Sequence, residues 1–163
     1  MEEIGFRDLG IGDMGWLIQR HAELYAQAEG FDASFEPLVA QILLDHVAGR
    51  DPACERAWIA HAGERRLGSI FCVKGAAPGE AKLRLFFVEP EARGRGLGAR
   101  LLRLCLDYAR ARGYARMTLW THESHRAACA LYAGYGFRMV STTPVRNFGC
   151  DLVEQGWEID LAR

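Results

Sequence analysis

The sequence predicts an α+β domain built on one mixed, mostly antiparallel sheet of about seven strands with about four helices. Three observations carry that prediction. Strand-like runs at residues 57–61, 67–73 and 82–88 follow one another, the first two joined by the turn residues Ala62-Gly63-Glu64-Arg65, as in an antiparallel meander. Strand, helix and strand then succeed one another at 82–88, 98–112 and 116–121, the spacing of a βαβ crossover, so those two strands should run parallel. The 163 residues are half apolar and one quarter charged, which fits a single ordered domain over residues 1–163 with a sizeable core.

The elements follow in order. Residues 4–9 alternate and end at Gly10, a short strand. From Asp13, Trp16, Leu17, Leu24 and Tyr25 recur with helical spacing up to Gly30. A loop holding Phe31, Asp32, Ser34 and Phe35 leads to a second helix, 37–48, with Pro37 as its first residue and Gly49 as its stop. After the meander, the helix at 98–112 carries Leu101, Leu102, Leu104, Cys105, Tyr108 and Ala109 on one stripe and ends at Gly113. Ser124 is placed to cap a last helix through Tyr135, ended by Gly136. Strands at 138–145 and 152–161 complete the chain, which shows no repeat, low-complexity tract or linker.

Composition excludes several classes. Twenty Lys and Arg against 21 Asp and Glu give a formal charge of −1, so nothing in the whole-chain charge favours nucleic acid or a membrane. The five cysteines are odd in number and lack a C-x-x-C pair, which fits a reducing compartment. An acidic start at Met1-Glu2-Glu3 and the lack of any apolar run of ~18 residues lead us to expect a cytoplasmic protein without a membrane span.

Chemistry concentrates at Arg93-Gly94-Arg95-Gly96-Leu97-Gly98-Ala99, between an apolar strand and an amphipathic helix. There, backbone N–H groups without helical partners converge and the helix dipole favours an anion, a cradle for phosphate. Seven arginines fall between residues 93 and 116, at 93, 95, 100, 103, 110, 112 and 116, against the one acid Asp107, and this local excess suits a polyphosphate. Ala99-Arg100 follows Gly98 where a P-loop needs Lys and Ser or Thr, so nucleoside triphosphate hydrolysis is not expected. Gly94, Gly96 and Ala99 also spell G-x-G-x-x-A, with Glu123 near the place of a ribose-binding acid, which keeps a dinucleotide-binding protein as an alternative. Against it, Pro90-Glu91-Ala92-Arg93 separates strand from glycines and a single crossover is visible.

The segment from Val88 to Gly98, with its V-x-P followed by Arg93-Gly94-Arg95-Gly96-Leu97-Gly98, resembles the acetyl-coenzyme A signature of the GNAT N-acetyltransferase family. Ala128-Cys129-Ala130-Leu131-Tyr132 followed by Gly136-Phe137 resembles that family's later helix, A-x-x-L-Y-x-x-x-G-F. Lys82-Leu83-Arg84-Leu85, Leu119-Trp120-Thr121 and Phe148-Gly149-Cys150-Asp151-Leu152 are similar to acetyltransferase domains fused to MarR-type regulators, although no winged helix is present here. The resemblance implies a single GNAT-like domain and acetyl-CoA as acetyl donor. It implies that the strand 85–88 splays from 116–121 to admit the pantetheine arm, that N–H groups near Phe87 and Val88 bind it and polarise the acetyl carbonyl, and that residues 93–99 hold the pyrophosphate. It also implies that Tyr132 protonates the leaving thiolate. Where the family often has Asn beside the cofactor, three residues before Ala128, this chain has His125.

Transfer to an amine also needs a base. The family often carries a Glu on the strand entering the turn, but residues 82–88 contain no acid. Glu36, in the loop region between the first two helices, and His122, at the end of the strand across the slot, are the candidates; the plainer readings are a helix-capping acid and a solvated histidine. His122 and His125 stand three apart across a strand end and a helix start, the wrong arrangement for zinc, so no metal is expected. Cys105 and Cys129 fall on apolar helix faces and read as packing. The acceptor, a small-molecule or peptide amine, should meet the first two helices and their loop at Tyr25, Phe31, Phe35 and Glu36, with His21, Glu29 and Asp32 nearby. A non-catalytic acyl-CoA-binding module and, more remotely, a DNA-binding regulator are alternatives from other classes; a homodimer is left open.

Overall fold

The structure, a computed structural model, describes residues 2–162. Seven strands and four α-helices follow the chain as β1 (Gly5–Arg7), α1 (Asp13–Glu29), α2 (Phe35–Gly49), β2 (Arg56–Ala62), β3 (Arg65–Lys74), β4 (Glu80–Val88), α3 (Leu97–Ala111), β5 (Arg116–His122), α4 (Arg126–Gly134), β6 (Arg138–Asn147) and β7 (Cys150–Asp160), with a 3-10 turn at Pro90–Ala92. The strand order is β1-β2-β3-β4-β5-β7-β6. The residues form two compact units: 2–10, 50–118 and 160–162 in the first, 11–49 and 119–159 in the second.

The first unit holds the meander and the crossover. β1, β2, β3 and β4 pair antiparallel in sequence, and β2 turns into β3 through the two-residue loop Gly63-Glu64. β4 and β5 pair in parallel from Glu80↔Arg116 to Lys82↔Thr118, as the crossover spacing requires. α3 buries Leu101, Leu102, Cys105 and Ala109 of the expected stripe and adds Leu97 and Leu106, while Leu104 and Tyr108, expected on the same stripe, are only half-buried and Arg100, Arg103 and Arg110 stay exposed. Ile59, Ile70 and Phe71 are fully buried in the strands. Gly68 is fixed by this packing, since a Cβ there would stand 2.6 Å from the Phe87 carbonyl oxygen.

In the second unit α1 packs against α2, and β6 and β7 form a hairpin with register from Arg138↔Glu158 to Asn147↔Cys150. Val39 and Leu43 on α2 are buried, as are Tyr132 and Phe137 after α4 begins. The buried stripe of α1 is Asp13, Leu17 and His21, so two of its three members are polar. His21 accommodates burial by donating Nδ1–H to the Leu17 carbonyl at 2.8 Å.

Several expected boundaries move. β1 is confined to Gly5–Arg7, and α2 begins at Phe35, which puts Pro37 in the first turn but not at its first residue. A proline is tolerated there because those N–H groups have no intrahelical partner. Ser124 is not a helix cap: its hydroxyl donates to Glu29 Oε2 at 2.6 Å, and α4 starts instead after His125. β4 starts two residues earlier than expected, at Glu80, so it does carry an acid. That acid is committed to Arg116, whose Nη2 lies 2.6 Å from Glu80 Oε2, and it accepts from Thr118 Oγ1 at 3.2 Å.

Candidate active site

The first unit presents a broken strand followed by an open glycine turn. β4 pairs with β3 as Phe71↔Arg84 and then Ser69↔Phe87, so Leu85 and Phe86 bulge out of register. Leu85 adopts φ 47°, a left-handed conformation that costs a leucine ~1–2 kcal/mol. Its carbonyl is held by Ser69 Oγ–H at 2.6 Å. Such strain is retained where the backbone must be re-aimed. Glu89 N–H bonds the Leu67 carbonyl at 2.8 Å, so strand alternation turns the Val88 N–H toward the opposite edge of β4, the edge on which β5 pairs. Phe87 is buried and Val88 half-buried.

After the 3-10 turn, Arg93 Nε–H returns to the Val88 carbonyl at 3.0 Å and pins the loop to the strand end. Gly94 and Gly96 have φ of 73° and 76°, which favours glycine, and a Cβ on either would meet no atom within 4 Å. Both peptide faces are therefore approachable. The first hydrogen bond of α3 is Arg100 N–H to Gly96 O at 3.0 Å, and the amides of Leu97 and Gly98 precede it at the positive end of the dipole. Buried Leu97 anchors this start, half-buried Gly98 and Ala99 follow, and Arg93, Gly94, Arg95 and Gly96 are exposed. Arg100 lies over the Phe6 ring at 4.8 Å. The donor set and open glycine backbone fit a pyrophosphate.

The second unit collects the titratable candidates. Tyr132 is buried beside Phe137 and Trp157, at ring distances of 5.6 and 6.3 Å. Half-buried Ala128 lies one turn before it on α4. His122 is 2% exposed, and its Nε2 has no hydrogen-bond partner among the described residues. It is thus no solvated strand-end histidine. Burial, and then His125 nearby, push its pKa below the ordinary histidine value, with Glu154 and Glu29 opposing. The ring is neutral at pH 7 and able to accept a proton. Glu36 is exposed in the first turn of α2, a position that suits an acid for dipole reasons alone.

His125 faces inward within this unit. Its Nδ1 lies 3.1 Å from Thr121 Oγ1, and its Nε2 lies 3.0 Å from Glu29 Oε1, close enough for an ion pair though off the hydrogen-bond direction. Burial lowers its pKa and Glu29 opposes the shift. Glu29, the last residue of α1, sits at the unfavourable negative end of that helix and is offset by His125 and Ser124.

Tyr25, Phe31 and Phe35 join in one aromatic cluster: Tyr25 contacts Phe31 at 5.4 Å and Phe35 at 5.0 Å, and Phe31 meets His122 edge-on at 5.8 Å. Phe31 and Phe35 are buried and Tyr25 is half-buried. Sequence reasoning gave Phe148 no place in this site. It forms the two-residue β6–β7 loop with Gly149, adopts φ 55°, and packs on Phe31 and Phe35 at 4.9 and 5.0 Å. Its carbonyl accepts from Asp32 N–H at 2.9 Å. A bulky residue is unusual at φ > 0, although two residues between strands of this pattern signal a tight hairpin.

The sequence profile of the Acetyltransferase (GNAT) family matches residues 18–137. The chain belongs to that family. N-acetyltransferase 8B of Rattus norvegicus is 35% identical over 85 residues, which make up 50% of this chain and 38% of that protein. The chain thus matches well under half the length of this curated relative. Among solved structures, spermidine N-acetyltransferase from Vibrio cholerae, in complex with CoA and spermine, aligns with a TM-score of 0.75 at 18% identity, covering 97% of this chain and 95% of that one. YncA from Salmonella typhimurium, with its cofactor acetyl-CoA, aligns with a TM-score of 0.69 at 18% identity, covering 98% and 94%. These likenesses establish the α+β fold with its seven-stranded mixed sheet. They remove the dinucleotide-fold alternative, since a doubly wound parallel sheet is absent from the described residues: β1 to β4 form an antiparallel meander and β6 pairs antiparallel with β7.

Proposed function

We propose that the protein is an acetyl-CoA-dependent N-acetyltransferase that acetylates a primary amine by direct attack. The observation that carries the reading is the bulged end of β4 running into an open glycine turn at the start of α3, in a chain of this family. Bound acetyl-CoA supplies the acetyl group as a thioester, from which a neutral amine displaces coenzyme A. The turn 93–99 holds pyrophosphate through its backbone, and the Val88 amide at the free strand edge polarises the acetyl carbonyl. Phe87 supports that strand end, and Ala128, one turn before Tyr132 on α4, is assigned to the cofactor on the resemblance of its helix to the family's. His122 Nε2 accepts the proton that the acceptor ammonium must lose, while Tyr132 gives a proton to the departing thiolate.

Glu36 is the second candidate base; its exposure favours His122 instead. His125 stands at the family Asn position, but its contacts with Thr121 and Glu29 favour a role in shaping the acceptor side over holding the cofactor. Within the family we keep the likeness to domains fused to MarR-type regulators, on the residues quoted above. The chain is proposed as one domain acting in the cytoplasm, a reducing compartment that its five free cysteines fit.

The test is release of free thiol from acetyl-CoA, with acetylated amine identified by mass, across a panel of amines. Binding of acetyl-CoA without turnover on any amine would leave a non-catalytic acyl-CoA binder, and preferential binding of NAD would reject the cofactor assignment.

A further inference from the structure

The overall charge of −1 conceals a partition. The described residues of the first unit hold fifteen Lys and Arg against eleven Asp and Glu, a net of +4, whereas the second holds four Arg and ten acids, a net of −6, and contains no Lys. Basic charge thus accompanies the turn assigned to an anionic cofactor. The acidic unit is the one assigned to the acceptor. Among the described residues six of its acids form no ion pair with Lys or Arg: Glu29 and Asp45, which meet His125 and Gln41 instead, and Asp32, Glu36, Glu123 and Glu154.

Asp32, Glu36 and Glu123 directly follow the aromatic-cluster members Phe31, Phe35 and His122, and the charge of Glu154 acts on His122. Asp32 stands over the hairpin tip: its amide bonds the Phe148 carbonyl, and a Cβ on Gly149 would fall 2.9 Å from its Oδ2. Glu36 follows Phe35 directly. Glu123 follows His122, and its amide bonds the carbonyl of Val153, which places it beside Glu154. Within the rim lie half-buried Tyr25 and Phe148, with Trp120 partly exposed at 5.4 Å from the His122 ring. A second, independent feature points to a ligand: the buried, unpartnered Nε2 of His122, whose ring packs on Phe31 and Trp120. Acidic rim and aromatic faces together attract organic cations.

We infer that the acceptor is an alkyl amine carrying a second positive charge, a dication whose reacting nitrogen is served by His122 while its other cationic group is held by this rim and the Tyr25 and Phe148 rings. The inference rests on the acetyltransferase reading for the reacting end; the second charge rests on the rim alone. A free diamine and a lysine side chain beside a free amino terminus share this chemistry.

Two measurements separate the ideas. Equilibrium titration with tetramethylated diaminobutane, which cannot be acetylated, reports the cation site without turnover; it should bind at least about tenfold more tightly than dimethylbutylamine, and addition of ~150 mM salt should weaken it several-fold. The variant carrying Asp32→Asn, Glu36→Gln and Glu154→Gln, checked as folded by its thermal transition, should lose roughly tenfold in that affinity. Equal affinity for dication and monocation, or binding by the wild-type protein that ignores salt, would overturn the inference. Initial rates with diaminobutane, butylamine, aminobutyrate and glycyl-lysine amide then test the acceptor. Faster use of either dication than of butylamine supports the inference, and which dication wins identifies its source. Turnover that prefers butylamine or aminobutyrate would overturn it while leaving the acetyltransferase reading intact. Dication binding without any turnover would do the reverse.

Discussion

Gly96→Asp tests the glycine turn, because the structure separates its cost to the fold from its cost to the ligand. Gly96 sits at φ 76° as the residue before α3, and a Cβ would meet nothing within 4 Å. No steric clash therefore enters, and the penalty is that of a non-glycine residue in the left-handed region, ~1–2 kcal/mol. The new carboxylate lies at a helix N-terminus and recovers ~0.3–1 kcal/mol. The net loss of about 1 kcal/mol lowers the midpoint of thermal unfolding by ~2–4 °C for a chain of this size. The ligand meets a different balance. A carboxylate about 5 Å from a phosphate charge is opposed by roughly 1–3 kcal/mol, depending on the effective dielectric, and each 1.4 kcal/mol is tenfold in affinity. Gly96→Ala carries the same backbone strain without the charge. Titration calorimetry with acetyl-CoA should show the Asp variant weakened by ~10–100-fold relative to the Ala variant, with both still folded. If a folded Asp variant binds as tightly as the Ala variant, the pyrophosphate is not held at this turn and the assignment fails.

Further outcomes follow from the second unit. Tyr132→Phe keeps the buried ring and should slow a single turnover by ~10²–10⁴ with little change in acetyl-CoA affinity; a chemical step within about threefold of wild type would remove Tyr132 as the acid. For His122, protonation blocks acceptance of a proton, so kcat/KM should rise with pH and level off below the usual histidine pKa; an unchanged profile in His122→Gln would exclude it as the base. Burial also lowers His21, to about 4. Because the unfolded chain binds a proton there first, denaturant unfolding should show about 3 kcal/mol of stability lost as pH falls from ~6.5 toward 4, a slope that His21→Gln should remove.

The parts of the site that could be read from sequence are those made by neighbours in the chain. Strand, turn and helix around residues 82–112 carry their own periodicity and punctuation, so the crossover and the glycine turn before α3 follow from local rules and are found where expected. The β4 bulge within the same stretch was not legible, because a left-handed Leu85 opposes the preference of its residue type and is imposed by pairing with β3 and the Ser69 hydroxyl. Ser124 fails as a cap for a similar reason: a local capping preference of about 1 kcal/mol loses to Glu29, 95 positions away in sequence, whose carboxylate needs donors at the end of α1. Asp13 and His21 likewise break the apolar stripe of α1 while occupying its buried face.

Charge shows the same boundary between local and non-local information, with a consequence for function. A formal charge of −1 on the whole chain weighs against a charged partner, and that inference is sound only when the two signs are interspersed. Here the chain returns. Residues 11–49, with one Arg and six acids, join 119–159, with three Arg and four acids, whereas 50–118, with fourteen Lys and Arg against seven acids, outweigh the acidic residues 2–10 that share their unit. Seven arginines at 93–116 were visible as a run; the opposing acids at 32, 36, 123 and 154 were not, because they arrive from α2, its preceding loop, the end of β5 and β7. An anionic donor and the dicationic acceptor inferred above would each meet a unit of opposite net sign, whereas one sign throughout would repel one of the two.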